Sequence, residues 1–75
     1  MDRQRIGRRI KAFRKLKGYT QVSLAKKLNI PVMSLGSVER GQKQATNDLL
    51  DQVADQLDIR KQELINSGSG KMKGD

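Results

Sequence analysis

The chain has no cysteine and no histidine. Their absence removes disulfides, thiol chemistry, the usual zinc sites and histidine acid–base catalysis together, so stability must come from packing. Tryptophan is missing as well, and Phe13 and Tyr19 are the only aromatic residues. Proteins that bind single-stranded nucleic acid need an aromatic stacking platform, and two rings wanted for packing do not make one. No apolar run approaches the roughly 20 residues of a membrane-spanning helix. The first ten residues, MDRQRIGRRI, stay charged where a signal peptide would turn apolar, so the expected location is cytoplasmic. The eight Asp and Glu residues are scattered over positions expected to face solvent. No nucleophile, base and orienting group can be assembled from them, which argues against an enzyme, and no cofactor is implied.

What the chain does have is positive charge, unevenly placed. Residues 1–43 hold twelve Lys or Arg against Asp2 and Glu39, a balance of +10, whereas residues 44–75 hold four against six, a balance of −2. Such a field speeds encounters with a polyanion and supplies the salt-sensitive, sequence-blind part of nucleic-acid affinity. A charge run is also ordinary for a solvated face, so charge alone does not identify the partner.

At 75 residues the chain can form one small domain. Apolar spacing predicts an all-α fold of five helices. The first runs from about Arg3 to Lys17, with Asp2 as N-cap, Gly18 at its end and Ile6, Ile10, Phe13 and Leu16 as its buried stripe. The second opens after Thr20, an expected N-cap, and buries Val22, Leu24, Ala25 and Leu28. Ser23 stands where a capping box would place Glu or Gln, so that box should be incomplete. Asn29 suits the left-handed conformation of a sharp exit, and Pro31 suits the first position of a third helix, Val32 to Glu39, that buries Leu35 and Val38. Thr46 should cap a fourth helix with Leu49, Leu50, Val53, Ala54 and Leu57 inside and Asp48, Asp51, Asp55 and Asp58 outside. A short fifth, about Lys61 to Ile65, follows Ile59 and returns Leu64 and Ile65 to the core. The domain is expected to span residues 1–66, with a disordered tail from 67 to 75.

Gln21 to Gly41, QVSLAKKLNIPVMSLGSVERG, is therefore two short helices joined by a tight turn. With IGRRIKAFRKLKGYTQ before it and LLDQVADQLDI after it, the run from Ile6 to Ile65 resembles the phage repressor and Cro-like helix-turn-helix family, often called XRE. The resemblance covers about four-fifths of the chain. It implies a five-helix domain that binds double-stranded DNA through its third helix, commonly as a homodimer, and acts as a transcriptional regulator, with repression the usual sense. It also implies a phosphate contact by Gln21, which in relatives often braces a base-reading side chain. A partly buried Arg14–Glu39 bridge is implied between the first helix and the end of the third. Arg40, Gln42, Lys43 and Gln44 would run beside the DNA backbone, with Lys43 the leading phosphate contact.

The base-facing positions align with Val32, Met33, Ser34, Gly36 and Ser37. None is Gln, Asn, Arg or Lys, so bidentate base contacts worth about 1–3 kcal/mol each are absent from the front of this helix. Readout would rest on thymine methyl groups against Val32 and Met33, on the Ser34 and Ser37 hydroxyls, and on DNA shape. Gly36 costs about 1 kcal/mol relative to Ala inside a helix, which calls for close approach either to DNA or to a neighbouring helix. Two rival partners follow from the same residues. The Val32, Met33 and Leu35 patch could seat a partner protein, and the basic amphipathic first helix could lie on a membrane surface if its apolar stripe were not needed for the core.

Overall fold

Asp2 starts the first helix by placing its carboxylate under two main-chain donors, the N–H groups of Gln4 at 2.9 Å and Arg5 at 3.3 Å. The computed structural model describes residues 2–65, and the expected tail and domain end beyond residue 65 lie outside the described residues. Within them the chain is all helical: α1 (Arg3–Leu16), α2 (Gln21–Leu28), α3 (Val32–Glu39), α4 (Asn47–Leu57) and α5 (Gln62–Ile65). Thr20 caps α2, and here the capping box is complete. The Thr20 hydroxyl accepts from the Ser23 N–H at 3.0 Å, and the Ser23 hydroxyl accepts from the Thr20 N–H at 2.9 Å. Serine replaces the expected Glu or Gln because its short side chain still reaches back over one turn. Thr46 caps α4 through the N–H of Leu49 at 3.1 Å.

Pro31 precedes α3 rather than opening it. Its ψ of 142° is extended, and its carbonyl takes the first helical bonds from Ser34 and Leu35. A proline in this place has no side chain to cap with, so among the described residues the Val32 and Met33 N–H groups have neither a helical nor a side-chain acceptor.

Four helices end in the same way. Gly18, Asn29, Gly41 and Asp58 all take positive φ, between 56° and 84°, and each is followed by a residue whose N–H reaches back five positions. Asn29, for example, donates to the Lys26 carbonyl and Ile30 to the Ala25 carbonyl, both at 3.1 Å. This pattern satisfies carbonyls that a helix end leaves orphaned. The following residues Tyr19, Ile30 and Ile59 also pack on the core, so three of the four exits double as hydrophobic contacts. Asp58, expected on the outer face of α4, is instead the residue that closes it.

The core is built from Ile6 and Ile10 of α1, Leu24, Ala25 and Leu28 of α2, Leu35 and Val38 of α3, Leu50, Val53, Ala54 and Leu57 of α4, and Leu64 of α5. Two expected members are outside it: Leu16 is 74% exposed and Val22 is 53% exposed. On α1 the buried row runs Ile6, Ile10, Arg14, so the position expected for Leu16 is held by an arginine one half-turn earlier. The α1 helix packs on α3, α4 and α5, while α2 packs on α3 and α4.

The α1 helix approaches the end of α3 closely at Gly7. A Cβ at Gly7 would stand 2.2 Å from the Val38 carbonyl oxygen and 2.7 Å from that of Glu39. Both are backbone atoms and cannot rotate away. Alanine favours a helix interior by about 1 kcal/mol, but overpacking against fixed backbone costs about 1–3 kcal/mol and often more. Gly7→Ala is therefore expected to lower stability, seen as a lower urea midpoint with an unchanged slope. Asp2 gives a second expectation. The Arg5 and Gln4 N–H groups hold its carboxyl below the ordinary 3.8, so its contribution is full above that pH and is lost as pH falls through the lowered value. Asp2→Asn, which still caps, should flatten this acid limb of a stability-against-pH curve.

Candidate nucleic-acid interface

One buried carboxylate joins three elements. Glu39, the last residue of α3, accepts from Arg14 Nε at 2.6 Å on Oε2, and from Arg14 Nη2 at 3.1 Å and Gln21 Nε2 at 3.0 Å on Oε1. The remaining Arg14 terminal nitrogen, Nη1, donates to the Tyr19 carbonyl at 2.8 Å. The two side chains are 7% and 1% exposed. Paired, hydrogen-bonded burial of this kind is the condition under which charges are tolerated inside a protein. Arg14 thus ties α1 to the loop before α2 and to the end of α3, and Gln21 ties the start of α2 to the same point.

This geometry changes what Gln21 can offer a ligand. One of its amide N–H groups is committed to Glu39, and the side chain is half-buried. Left for a phosphate are its second Nε2 hydrogen and its main-chain N–H at the positive end of α2. Thr20 is occupied in capping.

Beyond this brace, α3 turns one side to the core and the other to solvent. Leu35 and Val38 are buried, as their spacing predicts, which leaves only Val32 and Met33 of the rival apolar patch at the surface. Val32 is 38% exposed and Met33 80%, while Ser34 and Ser37 are half-buried. Gly36 is buried under two side chains: a Cβ there would stand 3.1 Å from Nη1 of Arg40, the residue that caps α3 itself, and in ordinary contact, 3.5–3.6 Å, with the Gln21 amide of α2.

Arg40, Gln42, Lys43 and Gln44 are all exposed where the chain leaves α3. Gly41 makes the turn possible twice over, with φ of +76° and a Cβ position only 2.8 Å from the Gln4 Cα. Lys43 has no ion pair among the described residues. It lines a hollow of about 250 Å³ together with Ser34 of α3 and Leu49 of α4. Gly7 was the one positioning residue not singled out from sequence, although a glycine inside a helix is itself the signal of a close crossing.

Comparison with known proteins agrees with this architecture. Residues 10–64 match the family described as Helix-turn-helix. The chain belongs to the helix-turn-helix family. It is 48% identical over 64 residues to the uncharacterized HTH-type transcriptional regulator YazB of Bacillus subtilis, a match covering 85% of this chain and 93% of YazB. Among solved structures it is similar to the restriction-modification controller protein C.AhdI from Aeromonas hydrophila, with a TM-score of 0.80, 33% identity, and coverage of 84% of this chain and 96% of that one. It is also similar to the clp gene regulator ClgR from Corynebacterium glutamicum, with a TM-score of 0.84, 27% identity and 97% of each chain covered. In this helix-turn-helix chain α2 and α3 are the two helices of the motif, and Asn29 is its turn.

The brace yields a direct test. Glu39→Ala leaves Arg14 buried without a counter-charge, a defect that costs about 3–5 kcal/mol. In a domain this small, that should leave much of the chain unfolded at 25 °C by circular dichroism. Removing both charges with Arg14→Met and Glu39→Leu together should recover most of the loss.

Proposed function

We propose that this DNA-binding transcriptional regulator acts as a repressor, occupying a specific duplex with α3 in the major groove. The observation that carries the reading is the outward side of α3. Its inner side and its end are fixed by the core and by Glu39, while Val32 and Met33 stay exposed, with Ser37 half-buried between them and a loop whose lysine has no ion pair among the described residues. Val32 and Met33 would meet thymine methyl groups, and Ser34 and Ser37 would meet base edges or phosphates. Lys43, Gln42 and Gln44 would hold the backbone, together with the start of α2 at Gln21. As a homodimer, the protein would set two α3 helices about 34 Å apart, one turn of DNA. No helix among the described residues is long and apolar enough to cross a membrane, and a cytoplasmic location, where operator DNA is met, goes with this reading.

Fluorescence anisotropy of the purified chain with duplex from upstream of its own gene, against scrambled duplex and across a salt series, tests the proposal. A clear preference for the upstream duplex with a steep salt slope is expected. Equal weak affinity for both would overturn operator binding. No binding at low salt would favour instead a protein partner seated on Val32 and Met33. Lys43→Glu should weaken binding to both duplexes at least tenfold and lower the salt slope by about one.

A further inference from the structure

The front of α3 supplies no Arg, Lys, Gln or Asn of its own, yet a guanidinium lies on it. Arg40 follows α3 directly, and long side chains at this point of a helix lean back over the preceding turn. The residue it covers is Gly36, where a Cβ would stand 3.1 Å from Nη1. Gln21 bounds the other side of the same spot, its Oε1 3.5 Å from that Cβ position. Met33, Ser37 and Arg40 follow one another at spacings of four and three, so the guanidinium continues the exposed row of the reading face.

One of its edges already faces an acceptor. Gln42 Oε1 accepts from Arg40 Nε and Nη2, at 3.4 Å each, and so occupies one edge of the group. The end edge, Nη1 with the second hydrogen of Nη2, carries no hydrogen bond among the described residues. Arg40 has no ion pair among them either. Two parallel N–H groups held at that edge match the paired acceptors N7 and O6 of guanine, a match that the point charge of lysine does not reproduce.

We infer that Arg40 is a specificity-determining residue that reads a guanine from over Gly36, in place of the phosphate-holding role its position suggests. Gly36 is glycine so that the guanidinium can lie against the helix. The inference rests on α3 entering the major groove, and it supplies the one strong base contact that Val32, Met33, Ser34 and Ser37 cannot make.

The test starts from duplexes selected by the full chain out of a random-sequence library. Arg40→Lys should reduce the ratio of selected to scrambled affinity about 10- to 100-fold and relax the preference at one G·C pair. Replacing that guanine by 7-deazaguanine, which lacks the N7 acceptor, should weaken the wild type but add little to the loss in the lysine variant. Gly36→Ala should fold with a melting temperature at or above wild type, since the crowded atom is the end of a flexible side chain, and should lose the same G·C preference. Additive losses at every guanine, or an unchanged selected sequence in Arg40→Lys, would overturn the assignment to Arg40. An unchanged selection in Gly36→Ala would overturn the seat. If the wild type selects no sequence at all, it is operator binding that fails.

Discussion

The Glu39 carboxylate is the point on which the arrangement of the helices depends. It sits at the end of α3, almost wholly removed from water, and takes three side-chain donors from α1 and from the first residue of α2. A buried charge without partners is costly, so the end of α3 and the two helices that supply its partners cannot separate independently. The same crossing is pressed together at Gly7, where only a missing Cβ lets α1 reach the α3 carbonyls. Polar satisfaction and close backbone contact therefore act at one place. Their joint effect is to fix the angle at which α3 leaves the core, which is the angle at which it would meet a duplex.

Affinity and selectivity are carried by different residues in this domain. Positive charge is concentrated in the first 43 residues and is mostly exposed, which suits attraction to phosphate that is blind to sequence. The open side of α3 is apolar or hydroxylic, and such side chains discriminate weakly. A guanidinium resting on Gly36 would restore a directional contact without placing a charged residue inside α3 itself. The buried glycine, the Gln42 acceptor and the Arg40 fork are then parts of one arrangement.

Much of this was legible along the chain because helix signals are local. Asp2, Thr20 and Thr46 cap helices in the way their short oxygen-bearing side chains predict, and Gly18 and Asn29 end helices where a positive φ is cheapest. Leu24, Leu28, Leu50, Val53 and Leu57 follow helical periodicity into the core. Errors arose where a residue's fate depends on a distant neighbour. Leu16 fits the α1 stripe by spacing, but α3 presents a carboxylate on that side, so Arg14 is buried and Leu16 stays out. Val22 fits the α2 stripe, yet no helix comes to cover it.

The sequence by itself determined that this is a basic, all-helical domain with two short helices at a tight turn, because caps, periodicity and charge are properties of short segments. Only the tertiary structure decided which polar residues those segments use on one another. Spacing could not say that one amide hydrogen of Gln21 goes to Glu39, nor that the side chains over Gly36 are those of Gln21 and Arg40. Each of these contacts joins helices or turns of the backbone whose approach is set by the packed core. A side chain's spare hydrogen bonds are known only once that packing has used the others.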